Sequence, residues 1–156
     1  MTASVGYDPS YRPAAPVVPV GVSALGGDAV MVPMLIDTGA DVTLLPADLV
    51  RRLRLPQVDA ITVSGFGGAR QRATVHVATL TLGGRPLTAR VVASNEALLG
   101  RDVLEHFELE LDGPRARLTL WAPGRGRRPA AAAGGARHAP IARPGPEPPT
   151  KRGRNS

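Results

Sequence analysis

Short apolar segments broken by Gly, Pro and Asp are the feature that most limits what this chain can fold into. β-branched residues recur in these segments between Pro16 and Trp121, and only two pieces have a helical pattern. Residues 74–82 alternate between apolar and polar types for most of their length, as expected for a strand with one face in water. The pattern predicts a small, mostly β domain over residues 16–121 with one or two short helices.

Glycine-rich turns divide the predicted strands. Gly26-Gly27-Asp28 is a hairpin signal, and a glycine-rich tip at residues 65–68 marks a second hairpin. We expect helices over Ala47–Leu53, after Pro46, and near Asp102–Phe107, with Asp102 as a cap of the first turn. The predicted strands are residues 17–25, 29–36, 60–63, 73–82, 87–94 and 116–121.

Charge is distributed unevenly along the chain. Residues 122–156 carry a net charge of +7, from 7 Arg, 1 Lys and the single acid Glu147, whereas residues 1–121 hold 11 Arg and 12 Asp or Glu, a net charge of −1. The last 35 residues also contain 7 Pro and 6 Gly, with Ile141 as their only large aliphatic residue. Such a segment cannot bury enough apolar surface to offset its ordering entropy, so we predict a disordered basic tail.

Several classes of protein are excluded or disfavoured by composition. The chain has no Cys, which excludes a disulfide scaffold, a thiolate metal site and a cysteine nucleophile. Residues 1–15 are expected to be a flexible segment without the pattern of a secretory signal. The apolar run 29–36 is far shorter than the ~20 residues that span a bilayer. We therefore expect a soluble, cytoplasmic protein.

The candidate catalytic residue is Asp37, in the run Leu35-Ile36-Asp37-Thr38-Gly39. An acid directly after a buried strand loses hydration, which raises its pKa unless hydrogen bonds or charges compensate. A hydroxyl can lock such a loop by hydrogen bonding, and a glycine permits close approach of backbone or ligand. Taken alone, however, the tripeptide is more often an ordinary turn.

Three motifs together resemble the retropepsin family, the single-domain aspartic proteases of retroviruses and their cellular and bacterial relatives. Residues 37–41, Asp-Thr-Gly-Ala-Asp, match the family's active-site loop. Residues 63–69 resemble its glycine-rich flap, and residues 97–104 resemble its second signature, apolar residues and Gly before a short helix. The motifs occur in the family order and span most of the predicted domain.

This resemblance implies a closed, mostly antiparallel β barrel with one half-site per chain. Two chains would pair as a homodimer, each giving one catalytic Asp37, and the chemistry needs no metal or cofactor. The sequence supports the pairing, because a shared-proton dyad needs two carboxylates and the chain holds no second Asp-Thr/Ser-Gly. Thr38 and Gly39 would support the active-site loop. A polypeptide substrate would contact Gly39, Ala40, Asp41, Gly65, Phe66, Gly67 and Gly68.

Some residues have competing interpretations. Asp41 and Arg101 are expected to form an ion pair that fixes the loop, and the alternative is an unpaired surface charge on each. Phe66 would cover the cleft, or would be an ordinary exposed aromatic residue. We expect structural roles for His76 and His106, because no Ser-His-Asp spacing accompanies them. The three arginines in and directly after the first predicted helix, Arg51, Arg52 and Arg54, are expected on a solvated face.

The leading functional hypothesis is an aspartic endopeptidase acting on polypeptides. The alternative is a non-proteolytic dimerisation or peptide-binding module with the same fold. A third class, a nucleic-acid-binding protein driven by the tail, does not explain the three motifs. Plain solvated disorder is the preferred interpretation of the tail. It could instead contact nucleic acid or an anionic membrane, or crowd the dimer interface so that truncation activates the enzyme.

Overall fold

Ten strands and two short helices lie within the part of the chain that the computed structural model describes, residues 2–64, 68 and 70–121. The strands are β1 (Thr2–Gly6), β2 (Val17–Ser23), β3 (Val30–Ile36), β4 (Leu44–Pro46), β5 (Gln57–Ser64), β6 (Arg70–Leu82), β7 (Arg85–Ser94), β8 (Leu98–Leu99), β9 (Glu108–Asp112) and β10 (Arg117–Trp121). The helices are α1 (Ala47–Arg52) and α2 (Arg101–Leu104).

Six of these strands close into a barrel. Their order is β2-β3-β8-β4-β7-β6, and β6 pairs back onto β2 to complete the ring, while β5 adds to the outer edge of β6. Most neighbours are antiparallel, but β3–β8 and β4–β7 are parallel pairs. The mostly β barrel with two short helices is therefore as predicted, with two parallel pairings that the sequence did not indicate.

Both predicted hairpins are present. Strands β2 and β3 pair from Val17↔Leu35 to Val22↔Val30, on either side of the Gly26-Gly27-Asp28 turn. Gly26 has a φ of 72°, a conformation that glycine adopts without steric cost. The second hairpin joins β5 and β6, whose strands are longer than predicted. Residues 65–67 and 69 of its tip lie outside the described residues.

A second, three-stranded sheet has the order β1-β10-β9. The expectation that residues 1–15 stand outside the domain is wrong for β1, which pairs antiparallel with β10 from Thr2↔Trp121 to Gly6↔Arg117. The physical reason is a partner distant in sequence, since β10 offers β1 a ladder of backbone donors and acceptors. The predicted tail, residues 122–156, lies outside the described part of the chain.

One hydrophobic core fills the barrel and extends under the three-stranded sheet. Alternate residues Ala78, Leu80 and Leu82 of β6 are at most 1% exposed, as the period-two pattern predicts. Leu118 and Leu120 of β10 belong to the same core. Each large buried aliphatic side chain contributes about 1.5–3 kcal/mol of transfer free energy. The second sheet is therefore part of the folded unit.

The helices are shorter than predicted. Helix α1 follows Pro46, which has the fixed φ suited to a helix start. Helix α2 begins one residue earlier than expected, with Gly100 at the N-cap and no side-chain cap hydrogen bond. The prediction that Asp102 caps this helix is wrong, because its carboxylate is engaged by Thr43, 59 residues away. No helix in the described ranges is long and apolar enough to cross a membrane.

Candidate active site

Asp37 follows the last residue of β3, where the strand is held on both sides. The Asp37 amide donates to the Leu99 carbonyl at 3.0 Å, and the Ile36 amide donates to the Pro16 carbonyl at 2.9 Å. Ile36 itself is buried in the core. The parallel β3–β8 pair therefore fixes the backbone on which the candidate catalytic acid stands.

The Asp37 carboxylate is held by its own loop. Its Oδ1 atom accepts hydrogen bonds from the amides of Gly39 at 2.9 Å and Ala40 at 3.2 Å. A Cβ on residue 39 would lie 3.2 Å from this same oxygen, which favours glycine there. The Oδ2 atom has no hydrogen-bond partner among the residues described. Asp37 is half-buried and Thr38 is exposed, so one carboxylate oxygen is fixed and the other remains free for chemistry.

Asp41 and Arg101, the residues predicted to pair, lie in contact. The Arg101 guanidinium donates through Nη2 to Asp41 Oδ1, and the Arg101 amide donates to the Ala40 carbonyl at 2.9 Å. Both side chains are exposed, at 80% for Asp41 and 60% for Arg101. An exposed ion pair adds little to stability. Its effect is geometric, because it ties the end of the active-site loop to the start of α2.

A buried hydrogen-bond network lies directly behind this loop, and the sequence did not reveal it. Thr43, which is fully buried, donates through its hydroxyl to Asp102 Oδ1 at 2.7 Å and through its amide to Asp102 Oδ2 at 3.0 Å. The same hydroxyl accepts from the Gly100 amide at 3.0 Å. Asp102 Oδ1 also accepts from the Val103 amide at 2.9 Å. The only sequence signal was a Thr within an apolar run, which burial forces to find polar partners.

Gly100 is the point of closest backbone approach in this network. A Cβ on residue 100 would lie 2.5 Å from both the carbonyl carbon and the oxygen of Val42. The φ of Gly100 is −86°, which any residue can adopt. Glycine is therefore required here by lack of space, and this explains the Gly of the second motif.

The predicted substrate-contacting residues divide into two groups. Gly39, Ala40 and Asp41 lie together in the loop after β3. Of the hairpin tip, Gly68 is described, exposed and has a φ of 78°. Gly65, Phe66 and Gly67 lie outside the described residues, so their predicted contacts stay predictions.

One row of paired residues connects β3, which precedes the Asp37 loop, with β6 of the β5–β6 hairpin. Paired residues run across five strands, from Leu35 through Leu98, Leu44 and Val92 to Val75. Asp37 stands two residues beyond Leu35. On the N-terminal side of Val75, residues 70–74 pair with 60–64 and, among the described strands, with no other strand, so they form the projecting part of the hairpin.

The two histidines considered from the sequence have local partners. His76 is 9% exposed, and its Nδ1 lies 2.9 Å from the Leu55 carbonyl oxygen, to which it donates. Its Nε2 lies 2.9 Å from Thr74 Oγ1. His106 Nε2 lies 3.9 Å from Glu105 Oε1. Neither contact belongs to the Asp37 loop.

Arg51, Arg52 and Arg54 are exposed, as predicted. Within the described ranges, no three His, Cys, Asp or Glu residues are grouped closely enough to hold a metal ion.

Comparison with known proteins points to one family. Residues 26–106, slightly more than half of the chain, match the family described as "gag-polyprotein putative aspartyl protease". The solved structure of the EIAV protease complexed with the inhibitor HBY-793 is similar over 58% of this chain and 86% of that chain, with 26% sequence identity and a TM-score of 0.47. No curated protein matches the sequence.

Proposed function

The chain belongs to the family of retroviral-type aspartyl proteases, and from this premise we propose that it is an aspartic endopeptidase whose catalytic residue is Asp37. The observation that carries the proposal is the state of the Asp37 carboxylate. Two backbone amides hold its Oδ1 atom, and its Oδ2 atom has no partner among the described residues. An acid oriented in this way can exchange a proton with water or substrate.

The active unit in this proposal is a homodimer. Peptide hydrolysis by this chemistry uses two carboxylates that share one proton, because two like charges a few ångströms apart cannot both ionise. Each chain supplies one Asp-Thr-Gly. A two-fold axis beside the Asp37 loops would bring two copies together, and the exposed Thr38 would then lie at the contact between them.

Each turnover begins with a water molecule held between the two carboxyl groups. The ionised Asp37 takes a proton from the water, whose oxygen attacks the scissile carbonyl carbon, while the protonated Asp37 of the second chain gives its proton to the carbonyl oxygen. A gem-diol results. One carboxyl group then takes back a hydroxyl proton, the C–N bond breaks, and the leaving nitrogen receives the proton held by the other.

The loop and the network behind it hold this geometry in our proposal. Gly39 allows the substrate main chain to approach closely, and Asp41 contacts it while paired with Arg101. The β5–β6 hairpin covers the bound segment, which lies extended and forms main-chain hydrogen bonds as an added strand does. Glycines at the tip would give the hairpin the backbone freedom of a moving lid.

Cleavage of a diverse peptide library by the purified full-length chain tests the proposal. We expect cleavage by wild type, no cleavage by Asp37→Asn, and the same dimer in sedimentation for both. Asp28→Asn is a matched control, because it makes the same chemical change in the exposed turn between β2 and β3. A wild-type dimer that cleaves no peptide from about pH 4 to pH 7, the range around the carboxyl pKa values, would refute the proposal.

A further inference from the structure

The projecting part of the β5–β6 hairpin, residues 60–64 and 70–74, and the strand after it carry charge of one sign. Residues 60–95 contain four arginines and no aspartate or glutamate. Two of the four have local partners. Arg90 pairs with Asp59 at 2.7 Å, and Arg85 lies 5.8 Å from the centre of the Phe107 ring.

The other two arginines, Arg70 and Arg72, are exposed and have no ion-pair partner among the described residues. They lie two residues apart on β6 and therefore share one face of the hairpin, about 7 Å apart along the strand. Arg70 pairs across the hairpin with Ser64, and Arg72 with Thr62, both uncharged. Nothing described near them neutralises their positive charge.

The proposed function places this charge beside the cleft, because the β5–β6 hairpin would cover the bound segment. Arg70 and Arg72 flank the glycine-rich tip, on the part of the hairpin that projects beyond Val75. Val75 belongs to the row of paired residues that ends at Leu35, next to the Asp37 loop. In a homodimer two hairpins would contribute four such guanidinium groups.

We propose that Arg70 and Arg72 make the enzyme prefer polypeptide substrates with acidic side chains within a few residues of the scissile bond. The inference rests on the proposed function, since it assumes that an extended polypeptide lies beneath this hairpin. Unpaired surface charges of one sign raise the local concentration of ligands of the opposite sign. Exposed charges interact over about 10 Å at moderate ionic strength. We therefore expect a preference of about three- to tenfold at low salt.

A matched pair of labelled peptides tests this preference without requiring turnover. The two peptides differ only in having Glu or Gln at four positions around one central sequence. Their binding to Asp37→Asn protein is measured by fluorescence anisotropy at about 20 mM and about 0.5 M NaCl, which changes the screening length severalfold. The same binding is measured after Arg70→Gln with Arg72→Gln, and after Arg51→Gln with Arg52→Gln. The second pair removes the same charge from α1.

The proposal is supported if the Glu peptide binds more tightly at low salt, if the preference falls at high salt, and if only the Arg70/Arg72 change abolishes it. It is overturned if Asp37→Asn protein with all its arginines intact shows no preference, if the preference survives the Arg70/Arg72 change, or if the Arg51/Arg52 change lowers it equally. Tighter binding of a single-stranded oligonucleotide by the same arginines would also overturn it, by assigning them to nucleic acid.

Cleavage separates this inference from the proposed function. For wild type, kcat/KM of the Glu and Gln forms of a cleaved library peptide should show the same preference. If both forms are bound equally and cleaved at equal rates, the protein is a protease without a preference for acidic substrates. If the Glu peptide binds more tightly but neither form is cleaved, the protein is an acidic-peptide-binding module and the endopeptidase proposal is wrong.

Discussion

Replacing Gly100 by alanine should displace the backbone that supports the Asp37 loop, although the added methyl group contacts no group proposed to bind the substrate. The added Cβ would lie 2.5 Å from the carbonyl carbon and oxygen of Val42, both of them backbone atoms. Ordinary contacts of this type are about 3.5–4.0 Å. The backbone of Val42 must therefore move by about 1 Å, and it lies between Asp41 and the buried Thr43.

The expected magnitude follows from two contributions. Forcing a carbon atom into a filled space costs about 1–3 kcal/mol. Displacing Thr43 from Asp102 and from the Gly100 amide leaves buried polar groups poorly bonded, which costs about 1–3 kcal/mol more. Because the chain relaxes partly, we expect the free energy of unfolding to fall by about 2–4 kcal/mol.

Urea unfolding followed by the fluorescence of Trp121, the only tryptophan, measures this change. All samples are compared at one protein concentration, because a dimer unfolds at a concentration-dependent midpoint. Gly113→Ala is the matched control, since a Cβ there meets no atom within 4 Å. A loss of less than about 0.5 kcal/mol for Gly100→Ala, or an equal loss for Gly113→Ala, would contradict the steric argument.

Three further substitutions test other contacts. Thr43→Val should lower the free energy of unfolding by about 1–3 kcal/mol, because Asp102 loses a buried donor, whereas Thr43→Ser should retain most of the stability. Asp41→Asn should change stability by less than about 1 kcal/mol, since its ion pair is exposed, yet lower kcat/KM, and unchanged kcat/KM contradicts the proposed substrate contact. The Arg115 side chain donates to Asp112 and lowers the pKa of that carboxyl. The contact between Arg115 and Asp112 therefore stabilises the protein fully above the unfolded-state pKa of about 3.9. This stabilisation disappears as pH falls through the lower pKa that Asp112 has in the folded state. Asp112→Asn should accordingly destabilise the protein more at about pH 7 than at about pH 2, and equal unfolding midpoints for variant and wild type at both pH values would contradict this role.

Local patterns predicted the barrel hairpins well. Gly26-Gly27-Asp28 supplies the backbone freedom of a tight turn, and β6 alternates because one of its faces lines the core. The Asp37 loop was also evident, since its carboxylate, glycine and preceding apolar strand are contiguous. The two hydrogen bonds to Asp37 Oδ1 connect residues no more than three positions apart, so the local sequence contains this part of the arrangement.

Features that depend on distant partners were missed. Strand β9 alternates Glu and Leu over only five residues, and β8 has two residues, so neither stands out until neighbouring strands define it. The local sequence around Asp102 favours a role as helix cap. In the structure, however, its carboxylate accepts two hydrogen bonds from Thr43, a residue distant in sequence, and does not cap the helix. Such outcomes require knowledge of which segments meet.

The pairing of β1 with β10 also affects the order in which parts of the chain fold during synthesis. Ser4 and Thr119, which face each other in that ladder, are 115 residues apart in sequence. Closing so long a loop is slow compared with forming the β2–β3 hairpin, whose strands are joined by a short turn. On the ribosome β1 has no partner until β10 has emerged, by which time every residue from Asp37 to Asp102 has already been made. We therefore expect the Asp37 loop to be assembled first and the three-stranded sheet to form last.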